Sequence, residues 1–125
     1  GIVNECEVLK TYKGKVKQTV NIYDMTYVID QTSVGYIEGS KPLVPLREYI
    51  VFLKKSKNAN VKNTYMFSSA HFGAFDVRDR NESINDYDND SMTLKKTYSY
   101  DYIGCDDQFV EKYQSLKKQL DYIDK

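Results

Sequence analysis

Residues 46–55 read LREYIVFLKK, which places five consecutive apolar side chains between charged ends. Side chains alternate along a strand, so Tyr49, Val51 and Leu53 point one way while Ile50 and Phe52 point the other. A strand that is apolar on both faces must be covered on both faces. The stretch therefore predicts a central strand of a curved sheet or barrel, with a helix or loop over its outer face.

The C-terminal residues predict the helix that supplies this cover. The apolar positions step by four, three, four and three residues and form one stripe on a helix: Phe109, Tyr113, Leu116, Leu120 and Ile123. Asp106 or Asp107 is the expected N-cap. Packing of the stripe onto the barrel is favoured over a dimer through it, because two heptads are short for a coiled coil.

The remaining elements are predicted to be strands. Residues 16–29 read as a long strand with a bend at Asp24, and residues 64–68, 74–78 and 92–103 read as further strands. The predicted fold is mostly β (α+β): a small OB-like curved sheet or barrel with a C-terminal amphipathic helix. The chain is expected to be a single domain, with the β part over residues 1–103 and the helix over 104–125.

Composition limits the classes of partner. Lys plus Arg equals Asp plus Glu at 18 each, which argues against a nucleic-acid or membrane partner held by bulk charge. No apolar run approaches the ~20 residues that span a bilayer, so we expect no transmembrane segment. The first residues lack the basic-then-apolar pattern of a signal peptide. Any export signal is therefore expected outside this sequence.

His71 is the single histidine of the chain, and it lies near Ser68, Ser69 and Asp76 in sequence. Proximity in sequence does not make a catalytic triad, since the roles depend on geometry. A loop histidine without a special role is the simpler interpretation. No catalytic residue and no cofactor is predicted, and His71 and Phe72 are retained as candidate contact residues.

Asp86, Asp88 and Asp90 alternate as the carboxylates of a calcium loop do. The sixth position is Ser91 instead of Gly and the twelfth is Thr97 instead of Glu, which excludes an EF-hand. The alternatives are a looser metal site or a solvated acidic loop. We predict weak calcium binding at most.

Tyr98, Tyr100 and Tyr102 would line one face of the last predicted strand. Exposed tyrosines can stack on sugars or anchor a protein partner. The simpler interpretation is a cross-strand ladder covered by the C-terminal helix.

Three segments carry a family resemblance: residues 8–14 (VLKTYKG), 42–53 (PLVPLREYIVFL) and 71–77 (HFGAFDV). In this order they resemble a small β-barrel domain of secreted and lipid-anchored bacterial proteins, with the pattern GxEYLvFL followed by GxFxV. That domain is similar in architecture to the OB-type barrel of netrin-like and tissue-inhibitor modules. The resemblance implies an extracytoplasmic location, secreted or lipid-anchored at the cell surface.

Two departures limit what the resemblance implies. Leu46 stands where the family usually has glycine, so the turn entering the strand is in question. Inhibitor modules begin with a mature N-terminal Cys followed by a second one, whereas Cys6 stands alone, so protease inhibition does not carry over.

An even count of two cysteines in a secreted domain favours a disulfide, here between Cys6 and Cys105. Such a bond would tie the C-terminal helix to the first strand. The alternative is two unpaired cysteines in a cytosolic protein.

The sequence thus favours an extracytoplasmic binding or interaction module without catalytic activity, monomeric, with a protein or carbohydrate partner. The alternative is a small hydrolase-like enzyme with a site near His71.

Overall fold

The computed structural model describes residues 2–24, 27–28, 31, 33–35, 42–56, 63–69, 71–78, 83–85, 91–104 and 106–124. Within these residues the strands are β1 (Ile2–Glu7), β2 (Thr19–Asp24), β3 (Tyr27–Val28), β4 (Ser33–Gly35), β5 (Tyr49–Val51), β6 (Leu53–Lys55), β7 (Thr64–Phe67), β8 (Ala74–Asp76), β9 (Ser83–Asn85), β10 (Ser91–Thr93) and β11 (Tyr102–Gly104). The helices are α1 (Leu94–Thr97) and α2 (Asp107–Asp124).

The largest sheet has four strands in the order β1-β2-β7-β6. It is mixed, because β2 and β7 run parallel while the outer pairs are antiparallel. Val20, Ile22 and Asp24 alternate with less buried residues in β2, and all three are buried. The period of two predicted for this strand is therefore present. The predicted long strand over residues 16–29 is wrong in its extent: residues 16–18 precede β2, and Tyr27–Val28 form β3, which pairs with β4 in a different sheet.

The prediction of one central strand over residues 49–53 is wrong. Its first half, β5, pairs with β8, and its second half, β6, pairs with β7 at an edge of the four-stranded sheet. Phe52 lies between them: its N–H donates to the Gly73 carbonyl (2.8 Å), and its carbonyl accepts from the Ser68 N–H (2.7 Å). Phe52 is 45% exposed, so the stretch is not covered on both faces.

The cause of this division is a loop in the partner strand. β7 and β8 both run antiparallel to the 49–55 ribbon, and the described residues between them, 68–69 and 71–73, belong to neither strand. Gly73 closes the loop at a point where a Cβ atom would contact the Phe67 side chain and lie 2.7 Å from the Ser69 carbonyl oxygen. Only glycine fits there without a shift of the backbone. The loop carries His71 and Phe72.

The prediction of one strand over residues 92–103 is also wrong, because the central residues are not in a strand. β10 ends at Thr93, α1 makes one helical turn, and β11 begins only at Tyr102. The Thr93 hydroxyl accepts the Lys96 N–H (3.2 Å) and so caps α1. β10 joins β4 and β3 in a three-stranded sheet, and β11 pairs in parallel with β9.

α2 confirms the predicted C-terminal helix. The N-cap is Asp106, whose Oδ1 accepts the Phe109 N–H (2.9 Å). Four residues of the predicted stripe are buried or packed on the core: Phe109, Tyr113, Leu116 and Leu120. The side chain of Ile123 lies outside the described part of the chain. The core itself lies between α2, β8 and β11 and contains Phe75, Tyr102, Tyr113 and Leu120.

The fold is therefore mostly β with a C-terminal helix, as predicted. The described strands form open sheets, so of the two predicted forms, curved sheet or barrel, the structure has the open one. Among the described residues, no helix has the length and apolar character needed to cross a bilayer.

Candidate functional site

A tight turn precedes β5 and presents Leu46 to solvent. The Arg47 N–H donates to the Val44 carbonyl (3.3 Å), and Pro45 and Leu46 are the central residues. Leu46 has a φ of 67°, the left-handed value that the third position of a type II turn requires. Glycine normally fills this position, and leucine is strained in it. The Leu46 side chain is fully exposed. We refer to residues 44–47 as the Leu46 turn.

Immediately beside this turn lies an ion-pair cluster of five residues: Arg47, Asp76, Arg78, Asp101 and Lys117. Two nitrogen atoms of Arg78 donate hydrogen bonds to the Asp76 carboxylate. Nε lies 3.0 Å from both carboxylate oxygens, and Nη2 lies 2.7 Å from Oδ2. The backbone N–H of Arg78 also donates to Asp76 Oδ1 (2.9 Å). Arg47 Nη1 lies 3.9 Å from Asp76 Oδ2 and donates to the Tyr98 carbonyl (3.1 Å).

The second carboxylate of the ion-pair cluster, Asp101, lies just before β11. Arg78 Nη2 is 3.5 Å from its Oδ1, and Lys117 Nζ, on α2, is 3.8 Å from its Oδ2. The ion-pair cluster therefore joins the end of β8, the start of β11 and α2. Three cations face two carboxylates, which leaves one excess positive charge.

Burial divides the ion-pair cluster into an inner and an outer part. The carboxylate side chains of Asp76 and Asp101 are 1% and 0% exposed, whereas those of Arg47 and Arg78 are 21% and 36% exposed. Burial by itself raises the pKa of Asp76, but the hydrogen bonds and the charge of Arg78 outweigh it and hold this pKa below its usual range. The same hydrogen bonds raise the pKa of Arg78. Both groups are charged at neutral pH, and the two arginines are the most exposed members of the ion-pair cluster, since the Lys117 side chain is only 14% exposed.

Two tyrosines border the ion-pair cluster. The Tyr49 hydroxyl accepts the Val44 N–H (2.9 Å), which fixes the Leu46 turn to β5, and burial chiefly raises the pKa of Tyr49. Burial, and then the negative charge of Asp101, raise the pKa of Tyr113 far above its usual range. Both phenols are therefore neutral, so neither adds charge to the ion-pair cluster.

His71 and Phe72 lie in a row of ring contacts, the aromatic stack. His71 stacks on Phe109 of α2 (centroids 4.4 Å apart, planes at 15°), and Phe72 stacks on Tyr102 (6.1 Å, 11°). The row continues through Tyr102–Tyr113 (4.3 Å), Tyr113–Phe75 (4.9 Å) and Phe75–Phe52 (6.2 Å). His71 and Phe72 thus contribute to docking the 68–73 loop against α2.

The groups considered for a catalytic relay have other partners. Ser69 Oγ accepts the backbone N–H groups of His71 (3.3 Å) and Phe72 (3.2 Å), which shapes the loop. Asp76 is held by Arg78. The structure does not bring Ser69, His71 and Asp76 into one hydrogen-bonded series.

The three tyrosines of the predicted contact face are separated by the structure. Tyr98 lies in the turn after α1, Tyr100 follows it, and both are half-buried. Tyr102 is buried in the core against Tyr113. Tyr102 therefore follows the simpler interpretation, packing beneath α2, while Tyr98 reaches the border of the ion-pair cluster through its carbonyl.

Two further predicted sites fall on residues that the structure does not describe. Asp86, Asp88 and Asp90 lie outside the described residues, and within the described ones no group of His, Cys, Asp and Glu has the arrangement of a metal site. Cys6 is a free thiol whose Sγ lies 3.7 Å from the Asn4 carbonyl oxygen, and Cys105 is outside the described residues. The calcium site stays a prediction. The structure has no disulfide at Cys6, so the Cys6–Cys105 bond stays a prediction without support from the structure.

Sequence reasoning did not identify the ion-pair cluster. Asp76 and Arg78 stand two residues apart, so an extended backbone places them on one side, and this spacing was the available signal. Arg47 and Tyr98 are 51 residues apart, and no local pattern connects them.

Comparison of the chain with protein-family models, with curated proteins and with solved structures gives no match. The geometry of the Leu46 turn and of the ion-pair cluster therefore carries the functional conclusion.

Proposed function

We propose that this protein is an extracytoplasmic interaction module without catalytic activity, and that it binds a protein partner through the Leu46 turn and the outer arginines of the ion-pair cluster. The observation that carries this proposal is the fully exposed leucine held at a φ of 67°.

Leu46 does not stabilise the fold, either through its side chain or through its backbone conformation. Its side chain buries no surface, so it gains no hydrophobic stabilisation. Its backbone conformation costs about 1 kcal/mol relative to glycine. A single exposed apolar side chain is ordinary, but folding alone gives no reason to keep a leucine at a strained, exposed position. Burial of the Leu46 side chain against a partner gives such a reason.

The neighbours of Leu46 indicate the chemistry of that partner. Arg47 and Arg78 hold their guanidinium groups in fixed positions through Asp76, and both remain partly exposed. Arginine and tyrosine around an apolar anchor are typical of the residues that dominate protein–protein binding energy. We infer a partner surface with an apolar pocket and carboxylates at its rim. The predicted tyrosine face offers less to a carbohydrate partner than expected, because Tyr102 is buried and cannot stack on a sugar.

The extracytoplasmic location rests on the family resemblance, and a Cys6–Cys105 bond, which the structure does not contain because Cys6 is a free thiol there, would add support if it forms in the native compartment. A free-thiol assay on denatured, unreduced protein tests the bond, and we expect no reactive thiol in protein isolated from its native compartment. Two reactive thiols would remove this support for the location.

A hydrolase-like site near His71 that used Ser69 and Asp76 would require both to leave the partners described above. Asp76 is held by an arginine bridge and Ser69 by two backbone amides. These contacts favour the interaction module.

The test uses a photoreactive amino acid at position 46 in cells of the source organism. We expect one dominant protein adduct from position 46 and none from position 111, an exposed site on α2. The purified partner should then bind Leu46→Ala about tenfold more weakly than the unaltered protein, the loss expected for an anchor of this size. Equal adduct patterns at the two positions, or unchanged affinity of Leu46→Ala, would contradict the proposal.

A further inference from the structure

A second exposed region lies on the hairpin formed by β1 and β2. The antiparallel ladder runs from Ile2↔Asp24 to Glu7↔Thr19 and continues to a hydrogen bond from the Val8 N–H to the Gln18 carbonyl (2.7 Å). Residues 8–18 then form a loop that turns at Gly14, where φ is 81°. We call residues 8–18 the basic loop.

The basic loop concentrates positive charge. It reads VLKTYKGKVKQ and contains four lysines, Lys10, Lys13, Lys15 and Lys17, and no acidic residue. All four lysines are exposed. The rest of the chain has 14 basic and 18 acidic residues, so the net charge of zero hides a local excess. Electrostatic attraction is screened over about 8 Å at physiological salt, so a nearby surface responds to the loop and not to the net charge.

The basic loop also exposes apolar side chains. Of the described residues, the large apolar side chains with high exposure are Val3, Leu9, Tyr12, Val16, Leu46 and Phe52. Three of them, Leu9, Tyr12 and Val16, alternate with the lysines of the basic loop, and Val3 lies on the adjoining β1. Lys10 Nζ lies 4.9 Å from the centre of the Tyr12 ring, so charge and apolar surface are in direct contact.

We propose that the basic loop binds the surface of an anionic phospholipid membrane, with its lysines among the headgroup phosphates and with Leu9 and Val16 in the boundary between headgroups and acyl chains. Lysines near an anionic bilayer and apolar residues at its interface are the two attractions that hold peripheral proteins on membranes. Tyr12 has the apolar body and polar tip that favour the same depth.

A nucleic acid is the competing polyanion, and it accounts for only part of the observations. Phosphates would attract the lysines and a base could stack on Tyr12. Leu9 and Val16 would then remain in water, because neither can stack or donate a hydrogen bond. A lipid surface accommodates both kinds of side chain, so the lipid is the occupant that the composition of the basic loop favours.

The experiment is sedimentation of the full chain with vesicles of phosphatidylcholine alone or with about 30 mol% phosphatidylglycerol. We expect binding to the anionic vesicles only, reduced when NaCl is raised from about 0.1 M to about 0.5 M. Replacing Lys10, Lys13, Lys15 and Lys17 by glutamine should weaken partitioning several hundred-fold, at about fivefold for each lysine.

Two variants separate this proposal from simpler explanations. A matched variant replaces four exposed lysines outside the basic loop by glutamine: Lys55, Lys95, Lys96 and Lys118. It has the same net charge as the basic-loop variant, but it should keep most of the vesicle binding. Leu9→Ser with Val16→Ser leaves all charges in place and should weaken binding about tenfold. Circular dichroism of each variant checks that the fold is retained.

Two kinds of result would contradict binding of the basic loop to an anionic membrane. No binding to anionic vesicles, or an equal loss in the two lysine variants, would overturn the proposal. Binding of a labelled single-stranded oligonucleotide that depends on the four lysines, with lipid binding that ignores Leu9 and Val16, would assign the basic loop to nucleic acid instead.

Discussion

At the scale of single residues, Leu46 stands out among the described residues, because its positive φ is one that a leucine backbone rarely adopts. The hydrogen bond of the Leu46 turn and the preceding proline hold the left-handed conformation against the steric preference of a leucine. Leucine therefore occupies a position that glycine normally fills in a type II turn, at a cost in stability.

Leu46→Gly should relieve this strain. We expect the free energy of unfolding to rise by about 0.5–1 kcal/mol, since glycine adopts positive φ readily and no buried contact is lost. Urea unfolding followed by circular dichroism measures the change. Leu46→Ala is the control, because it keeps the strained φ and should lie within about 0.5 kcal/mol of the unaltered protein. Equal stabilisation by both substitutions would assign the effect to the exposed side chain instead of the backbone.

Asp76 is the residue on which the ion-pair cluster depends. Asp76→Asn should lower the free energy of unfolding by about 3 kcal/mol at pH 7, because it leaves Arg47 and Arg78 without their shared carboxylate. Glu111→Gln, at an exposed carboxylate of α2, should change it little.

The effect of Asp76 should also depend on pH. The pKa of Asp76 is lower in the folded state than the usual value of about 3.9. Its contribution is therefore fully present above about pH 4 and is lost as the pH falls through the folded-state value. The difference between the unaltered protein and Asp76→Asn should shrink in urea titrations at successively lower pH below about 4. A difference that stayed constant down to the acid-unfolding range would show that packing, not charge, is responsible.

At the scale of elements, α2 is held at its start by a cap and along its length by the aromatic stack. Asp106→Ala should lower the free energy of unfolding by about 1 kcal/mol, because the Phe109 N–H loses its acceptor. Asp106→Asn keeps an oxygen at that place and should recover most of the loss. Gln108→Ala, exposed in the first turn, serves as the control in the same thermal and urea measurements. An equal loss in the Ala and Asn variants would mean that charge at the helix start matters more than the cap.

The elements differ in how far the sequence predicts them, and the difference has a physical cause. α2 follows from a stripe whose members are neighbours on one helix, so its information is local. The strand over residues 92–103 was predicted because three tyrosines at a spacing of two suggested alternating faces. In the structure the Thr93 hydroxyl accepts the Lys96 N–H, and a helical turn begins there instead. The division of the 49–55 ribbon depended on a loop in its partner strand, which its own residues do not reveal.

The candidate site was predictable only in part. Leu46 was visible in the sequence as the residue at the turn entering the strand, and His71 and Phe72 were predicted as loop residues. The ion-pair cluster was not visible, since its members come from the start of β5, the end of β8, the start of β11 and α2. Such a cluster exists only after the strands and helix are placed.

At the scale of the whole molecule, α2 joins β8 to β11 because Tyr113 lies between Tyr102 and Phe75. Tyr113→Ala should lower the free energy of unfolding by about 3–5 kcal/mol, a large part of the stability of a small domain. Glu111→Ala, one exposed position on the same helix, should have little effect. Near-ultraviolet circular dichroism and urea unfolding give the measurement. A small loss at Tyr113 would show that the aromatic stack is dispensable for folding.

The parallel pairing of β2 with β7 has a consequence for the speed of folding. Asn21 pairs with Thr64, 43 residues later, so the centre of the four-stranded sheet forms only after a long segment has closed. Loop-closure entropy must be overcome before that contact contributes any stability. The β1–β2 hairpin can form early, because its contacts are local. The four-stranded sheet can form only when β7 has reached β2. We expect refolding on the millisecond-to-second scale of non-local β topologies, with the rate limited by the arrival of β7 at β2.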